Sequence, residues 1–261
     1  MKITGSNAML RKRTVLMMFM KAVIALFFVA VLLIVIPTST KAAYIQSKAD
    51  DNDSATSLQL TFDAPVTAGS LLVLAVRMSG GGTSTVTSPG AVWTRDKSLQ
   101  SIVSGWTLDV HSAPNVPGGT TTVTCTVSGS ADSIRMMVHE YSGMATSSPA
   151  HKVASATGTS GTANTGPVTT TIENCTLFCV TATDSDLEGW AAGPGYTLRG
   201  DWEAAGEKIC SEDRGPVAAG TYSGVMSLNS DTWAAILVAY KPASPGNGPP
   251  APPGDLQILS K

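Results

Sequence analysis

Residues 58–62 (LQLTF) alternate apolar and polar positions, the pattern of a strand with one buried face. Residues 71–76 (LLVLAV) are apolar throughout, as in a strand covered on both sides. Residues 106–111 and 121–127 flank Pro114-Asn115-Val116-Pro117-Gly118-Gly119 and so predict a hairpin. Within its second arm Val123, Cys125 and Val127 share one face and threonines the other. Residues 133–141 put Ile134, Met136 and Val138 on one side and Met137, His139 and Tyr141 on the other. Further strands are predicted at 168–172, 176–182, 221–228 and 232–240, whereas 155–166, rich in Ser, Thr and Gly, reads as a loop. About ten short strands without an amphipathic helix predict an all-β fold. The expected form is a two-sheet antiparallel β-sandwich of jelly-roll type, with a closed barrel as the alternative. A faint repeat links residues 68–74 with 173–180, each running from a turn into a buried strand.

The chain ends follow other rules. Residues 1–21 carry Lys2, Arg11, Lys12, Arg13 and Lys21 and no acid, and 22–36 is an unbroken apolar run. As a helix that run spans about 22 Å, short of a hydrocarbon core of about 30 Å. Residues 1–42 therefore read as a signal peptide cleaved after Ala42, where Thr40 and Ala42 supply the small residues, or else as an uncleaved anchor helix. The sandwich domain is expected over 43–241, followed by a Pro/Gly-rich linker over 242–261. Its last part, Pro252-Pro253-Gly254-Asp255-Leu256-Gln257-Ile258-Leu259, resembles the lead-in to a fibronectin type III module, which implies a further module downstream. His139-Glu140-Tyr141-Ser142-Gly143-Met144 resembles a strand ending of exported bacterial β-sandwich surface proteins of unassigned activity. That resemblance implies a fold and no active site.

Charge and cysteines narrow the setting. The net charge is −2, and with so many basic residues in the export segment the remainder is acidic, which disfavours nucleic acid as a partner. Membrane contact is expected only through an uncleaved N-terminal anchor. A secreted or cell-surface location makes disulfides the default for Cys125, Cys175, Cys179 and Cys210. If Cys175 and Cys179 share one strand, their Cα atoms lie about 13 Å apart, beyond the roughly 7 Å a bridge spans. Bridges are therefore expected from Cys125 and Cys210 to that strand. The alternative, zinc, lacks paired C-x2-C knuckles.

No catalytic signature is present. His139-Glu140 begins an H-E-x-x-H motif, but Gly143 stands where the second histidine belongs. Nucleophile-elbow and phosphate-loop patterns are missing as well. The densest chemistry is an acidic and aromatic segment in which Asp184, Asp186 and Glu188 alternate as oxygen ligands suited to Ca2+, with a solvated loop as the plain reading. Trp190, Tyr196 and Trp202 suit a platform for a sugar ring, or ordinary packing under a Gly-rich loop. Trp93, Trp106 and Trp233 lie in or beside strands and read as core. The expectation is a non-catalytic adhesion or binding module, with glycan as ligand and no obligatory cofactor. Alternatives are a structural spacer in a modular surface protein and a polysaccharide-acting hydrolase, the latter requiring two carboxylates at a defined separation.

Overall fold

The computed structural model describes residues 41–100, 105–129, 133–184, 189–202 and 208–244. Nearly all of the expected signal peptide and of the linker, the fibronectin-like lead-in, Asp186 and Glu188 lie outside these residues.

The described residues are all-β and antiparallel. The strands are β1 (Ala43–Asn52), β2 (Ser57–Thr61), β3 (Leu71–Met78), β4 (Thr83–Thr87), β5 (Thr94–Gln100), β6 (Thr107–Ala113), β7 (Thr122–Ser128), β8 (Ile134–Ser142), β9 (Ala150–Thr170), β10 (Cys175–Thr183), β11 (Thr197–Trp202), β12 (Ile209–Val217) and β13 (Gly220–Tyr240). They build three sheets rather than two: β1-β8-β3-β6-β5, β11-β12-β10-β13-β9, and the smaller β2-β7-β4.

Alternation along the strands assigns each face. In β3, Leu72, Leu74 and Val76 point toward the small sheet and meet Leu60, Val123 and Val127. Leu71, Val73 and Ala75 point the other way and meet Phe178, Val180, Ile236 and Val238 of the second large sheet. A strand buried on both faces needs no polar positions, which explains the unbroken apolar run of β3. Beyond the second large sheet, Cys175, Leu177, Cys179 and Leu237 are covered in turn by Val168 near the end of β9 and Tyr222 near the start of β13.

The segment expected to be a loop, 155–166, is part of β9. It pairs with β13 along almost its whole length, with an irregularity between Ser227 and Asp231 where the ribbon turns back over its own sheet. Small residues permit this: a Cβ on Gly158 would collide with the Trp233 ring, and one on Gly224 with Cys179. Composition suggested a loop because Ser, Thr and Gly are common in both loops and closely covered ribbons.

The faint repeat proves to be architectural. Strands β1 to β8 give the order 1-8-3-6-5 beside 2-7-4. If β9 and β13 are divided at their bend, the second half repeats it: proximal β9, distal β13, β10, β12, β11, with the far part of the β9–β13 ribbon as the cover. Leu74 lies between His111 and Val138 as Cys179 lies between Glu212 and Leu237. Even the bulges match, between Arg95 and Lys97 on β5 and between Leu198 and Gly200 on β11. The halves meet reciprocally, β1 against β11 as β9 against β5, and β8 against β12 as β13 against β6.

The expected disulfides do not form, and all four cysteines are buried thiols. Cys125 sits under the small sheet of the first half, while Cys175 and Cys179 lie on the far face of the second large sheet, two sheets away. Cys175 and Cys179 occupy one strand, and Cys210 pairs with Thr181, which makes it only a diagonal neighbour of Cys179. Diagonal Cα spacings of about 7–8 Å exceed the usual reach of a bridge.

Candidate functional site

The repeat identifies a place where the two halves differ. In the first half, β4 is the edge of the cover and β5 the edge of the large sheet, and a seam opens between them. A cavity of about 340 Å3 lies there, lined by Thr83, Ser84, Thr85, Trp93, Arg95 and His111 among others. At its floor Ser84 Oγ donates to Asp109 Oδ2 and lies 2.7 Å from His111 Nε2. Asp109 and His111 are two residues apart in β6 and so share the face turned to the cover. Arg95 Nη1 stands 3.5 Å from the same Asp109 oxygen, with its side chain 39% exposed.

Burial pushes the Asp109 carboxyl up, but hydrogen bonds from His111, Ser84 and Ser98 outweigh it and hold the group below its ordinary value. Asp109 is thus a carboxylate, and the single Ser84 hydroxyl hydrogen goes to it. His111 Nε2 must then carry the proton that it shares with Ser84 Oγ. A nucleophilic serine needs the histidine between itself and the acid, with an unprotonated nitrogen facing Oγ. Here the serine stands between the other two, an arrangement that holds polar groups in place without activating Oγ.

In the second half the equivalent seam is shut. The loop before β11 lies down on it: Ala191 bridges to Ser227, and the Gly193 N–H donates to Glu212 Oε2 at 2.8 Å. Tyr196, at the position of Trp93, packs on the cluster around Cys179, and its hydroxyl donates to the Ser223 carbonyl. Glu212, at the position of His111, is pushed to about 7 by burial, against the opposing hydrogen bond from Gly193.

The residues singled out in the acidic segment are spread over several settings. Trp190 is half-buried against the Trp233 and Leu228 cluster, and Tyr196 against a different cluster. Trp202 is in β11, opposite Ile209. Asp184 forms an ion pair with Arg77 at 3.4 Å. Among the described residues no group of three or more His, Cys, Asp or Glu side chains is arranged to hold a metal ion. His139 is buried, pairs with Ser211 Oγ at 2.8 Å and packs edge-on to Phe178.

Sequence reasoning passed over Ser84, Arg95 and Asp109 and found His111 in no nucleophile or metal motif. A signal existed in Asp109-Val110-His111, where two polar residues share one face of an otherwise apolar strand. Comparison with known proteins finds no matching family model, no matching curated protein and no matching solved structure.

Proposed function

We propose that this chain is an exported, non-catalytic surface module of jelly-roll type that binds a glycan at the open seam of its first half. The interleaved order 1-8-3-6 facing 2-7-4, with β5 moved to the other sheet, supports the jelly-roll reading. The observation that carries the binding site is the seam cavity of about 340 Å3, lined by Trp93, by the Arg95 guanidinium and by the Ser84 and His111 side chains at its floor. Sugar sites combine an aromatic surface for the C–H face of the ring with a few convergent polar groups. The serine-centred floor favours binding over acyl transfer, since its hydroxyl is committed to Asp109.

A glycan array probed with the full chain, with and without Ca2+, tests this reading. Binding lost in both Trp93→Ala and Arg95→Ala is the expected result, with a nearly unchanged unfolding midpoint in Arg95→Ala and a lowered one in Trp93→Ala, whose ring also packs against the core. Ca2+-dependent binding that survives both changes but is lost in Asp184→Asn would move the site to the acidic segment. Silence across the array would favour the spacer.

A further inference from the structure

The reciprocal packing of the halves creates two related clefts, one at each end of their junction. In each, a buried tyrosine from one half meets an acid of the other: Tyr141 with Asp213, and Tyr240 with Asp96. Beyond that, the two differ in charge. Arg199, the bulged residue of β11, brings its Nε to 2.9 Å from Asp213 Oδ1 and lays its guanidinium 4.3 Å from the Tyr44 ring centre. That cleft holds its own cation.

In the other cleft the bulged residue of β5 is Asp96 itself. The position equivalent to Asp213 is Ser112: Thr94 faces Ser112 across β5–β6 as Thr197 faces Asp213 across β11–β12. Asp96 Oδ2 accepts from the Tyr240 hydroxyl at 2.7 Å. It lines a cavity of about 600 Å3 together with Thr94, Ser112, Asn115, Val92 and Pro149, and no lysine, arginine or histidine lines that space. Val92 is 79% exposed and offers an apolar wall at its rim.

We propose that the Asp96 cleft binds an organic cation, an ammonium group on a short apolar stem, in the place that Arg199 fills in the opposite cleft. The head would pair with the Asp96 carboxylate and hydrogen-bond to the Ser112 and Thr94 hydroxyls, while the stem lies along Val92 and Pro149. Burial raises the pKa of Asp96 against the hydrogen bonds from Tyr240 and Ser112 and the nearby His111, and an ammonium group in the cleft would oppose that rise. The site is separate from the seam, and the proposal does not rest on the glycan reading.

The test is an NMR titration of the full chain in 0.15 M salt with n-butylammonium chloride, N-acetyl-lysine methylamide and, as the uncharged control, n-butanol. The expected result is saturable binding of both amines, with a dissociation constant on the order of millimolar and amide shifts centred on residues 94–96, 112–115 and 146–150. A tighter lysine derivative would identify a protein side chain as the natural source, and a tighter butylammonium a free amine. Asp96→Asn keeps the acceptor for Tyr240 and should abolish saturation, while Asp63→Asn, an exposed carboxylate elsewhere, should leave it unchanged. Equal response to butanol, shifts scattered over the surface, or undiminished binding in a folded Asp96→Asn variant would overturn the proposal. If Asp96→Asn does not fold, the location of the wild-type shifts and the butanol control decide it.

Discussion

The two halves share strand order, pairing register and a bulge, yet one seam is open and polar while the other is shut. The first half separates its cover from the large sheet with full-sized side chains, among them Leu58, Leu60, Val123 and Val127, and leaves β4 and β5 apart. The second half closes with glycines: Gly224 of the cover lies over Cys179, and Gly193 of the loop before β11 lies against the cover at Val225. One topology thus yields a cavity or a packed edge according to the size of a few residues. Function is expected where the copy is less complete, because a sealed seam has no room for a ligand.

The largest expected effect concerns the junction between the halves. His139 is held at about 3 instead of 6.5 by burial, while the equivalent position in the second half is Val238. Below pH 6.5 the unfolded chain takes up a proton that the native state refuses. Stability should therefore fall as pH drops from 6.5 toward 3, by about 4–5 kcal/mol at the low end. Acid unfolding followed by circular dichroism checks this, and His139→Gln, which keeps a partner for Ser211, should flatten that part of the curve.

Glu212 should give a slope of the opposite sign. Its folded value of about 7 exceeds the ordinary 4.5, so the native state keeps a proton that the unfolded chain releases. Stability is full below pH 4.5 and falls as pH rises through 7, by about 3 kcal/mol. Denaturant midpoints between pH 4.5 and 8 should show that decline in the wild type and lose it in Glu212→Gln. A decline that persists would place its origin in another group.

Gly224→Ala tests the tight cover directly. Its new methyl group would meet the Cys179 side chain, and a loss of about 1–3 kcal/mol is expected in thermal unfolding. No change would mean that the cover of the second half lifts as easily as a loop. The smallest effect is expected at the open seam. Arg95→Ala removes an exposed partner from Asp109, which keeps Ser84 and His111, so stability should change by about 1 kcal/mol or less. A larger loss would make the seam part of the core.

Much of the first half was legible because its strands alternate or run apolar over lengths typical of strands, as in residues 58–62 and 71–76. β1, β4 and β5 were not, because each lies at a sheet edge with many exposed positions: residues 94–100 (TRDKSLQ) carry no apolar period. The seam was illegible for a different reason. Ser84, Arg95 and His111 come from three strands, and only the tertiary register makes them neighbours.

The sequence by itself determined the all-β class and the inward and outward faces of the central strands, since both follow from local alternation and burial. It also determined that Cys175 and Cys179 do not bridge one another, because strand geometry separates them. Only the tertiary structure decided that the four thiols are buried and far from productive pairing, that 155–166 is a ribbon, and that the chain repeats itself. Those outcomes depend on which faces meet across tens of residues, and the halves agree in pairing and bulges where their residues differ. The same step decides that Asp96 faces Tyr240 while Asp213 faces Tyr141 with Arg199 beside it, a difference in charge carried by two positions of one shared frame.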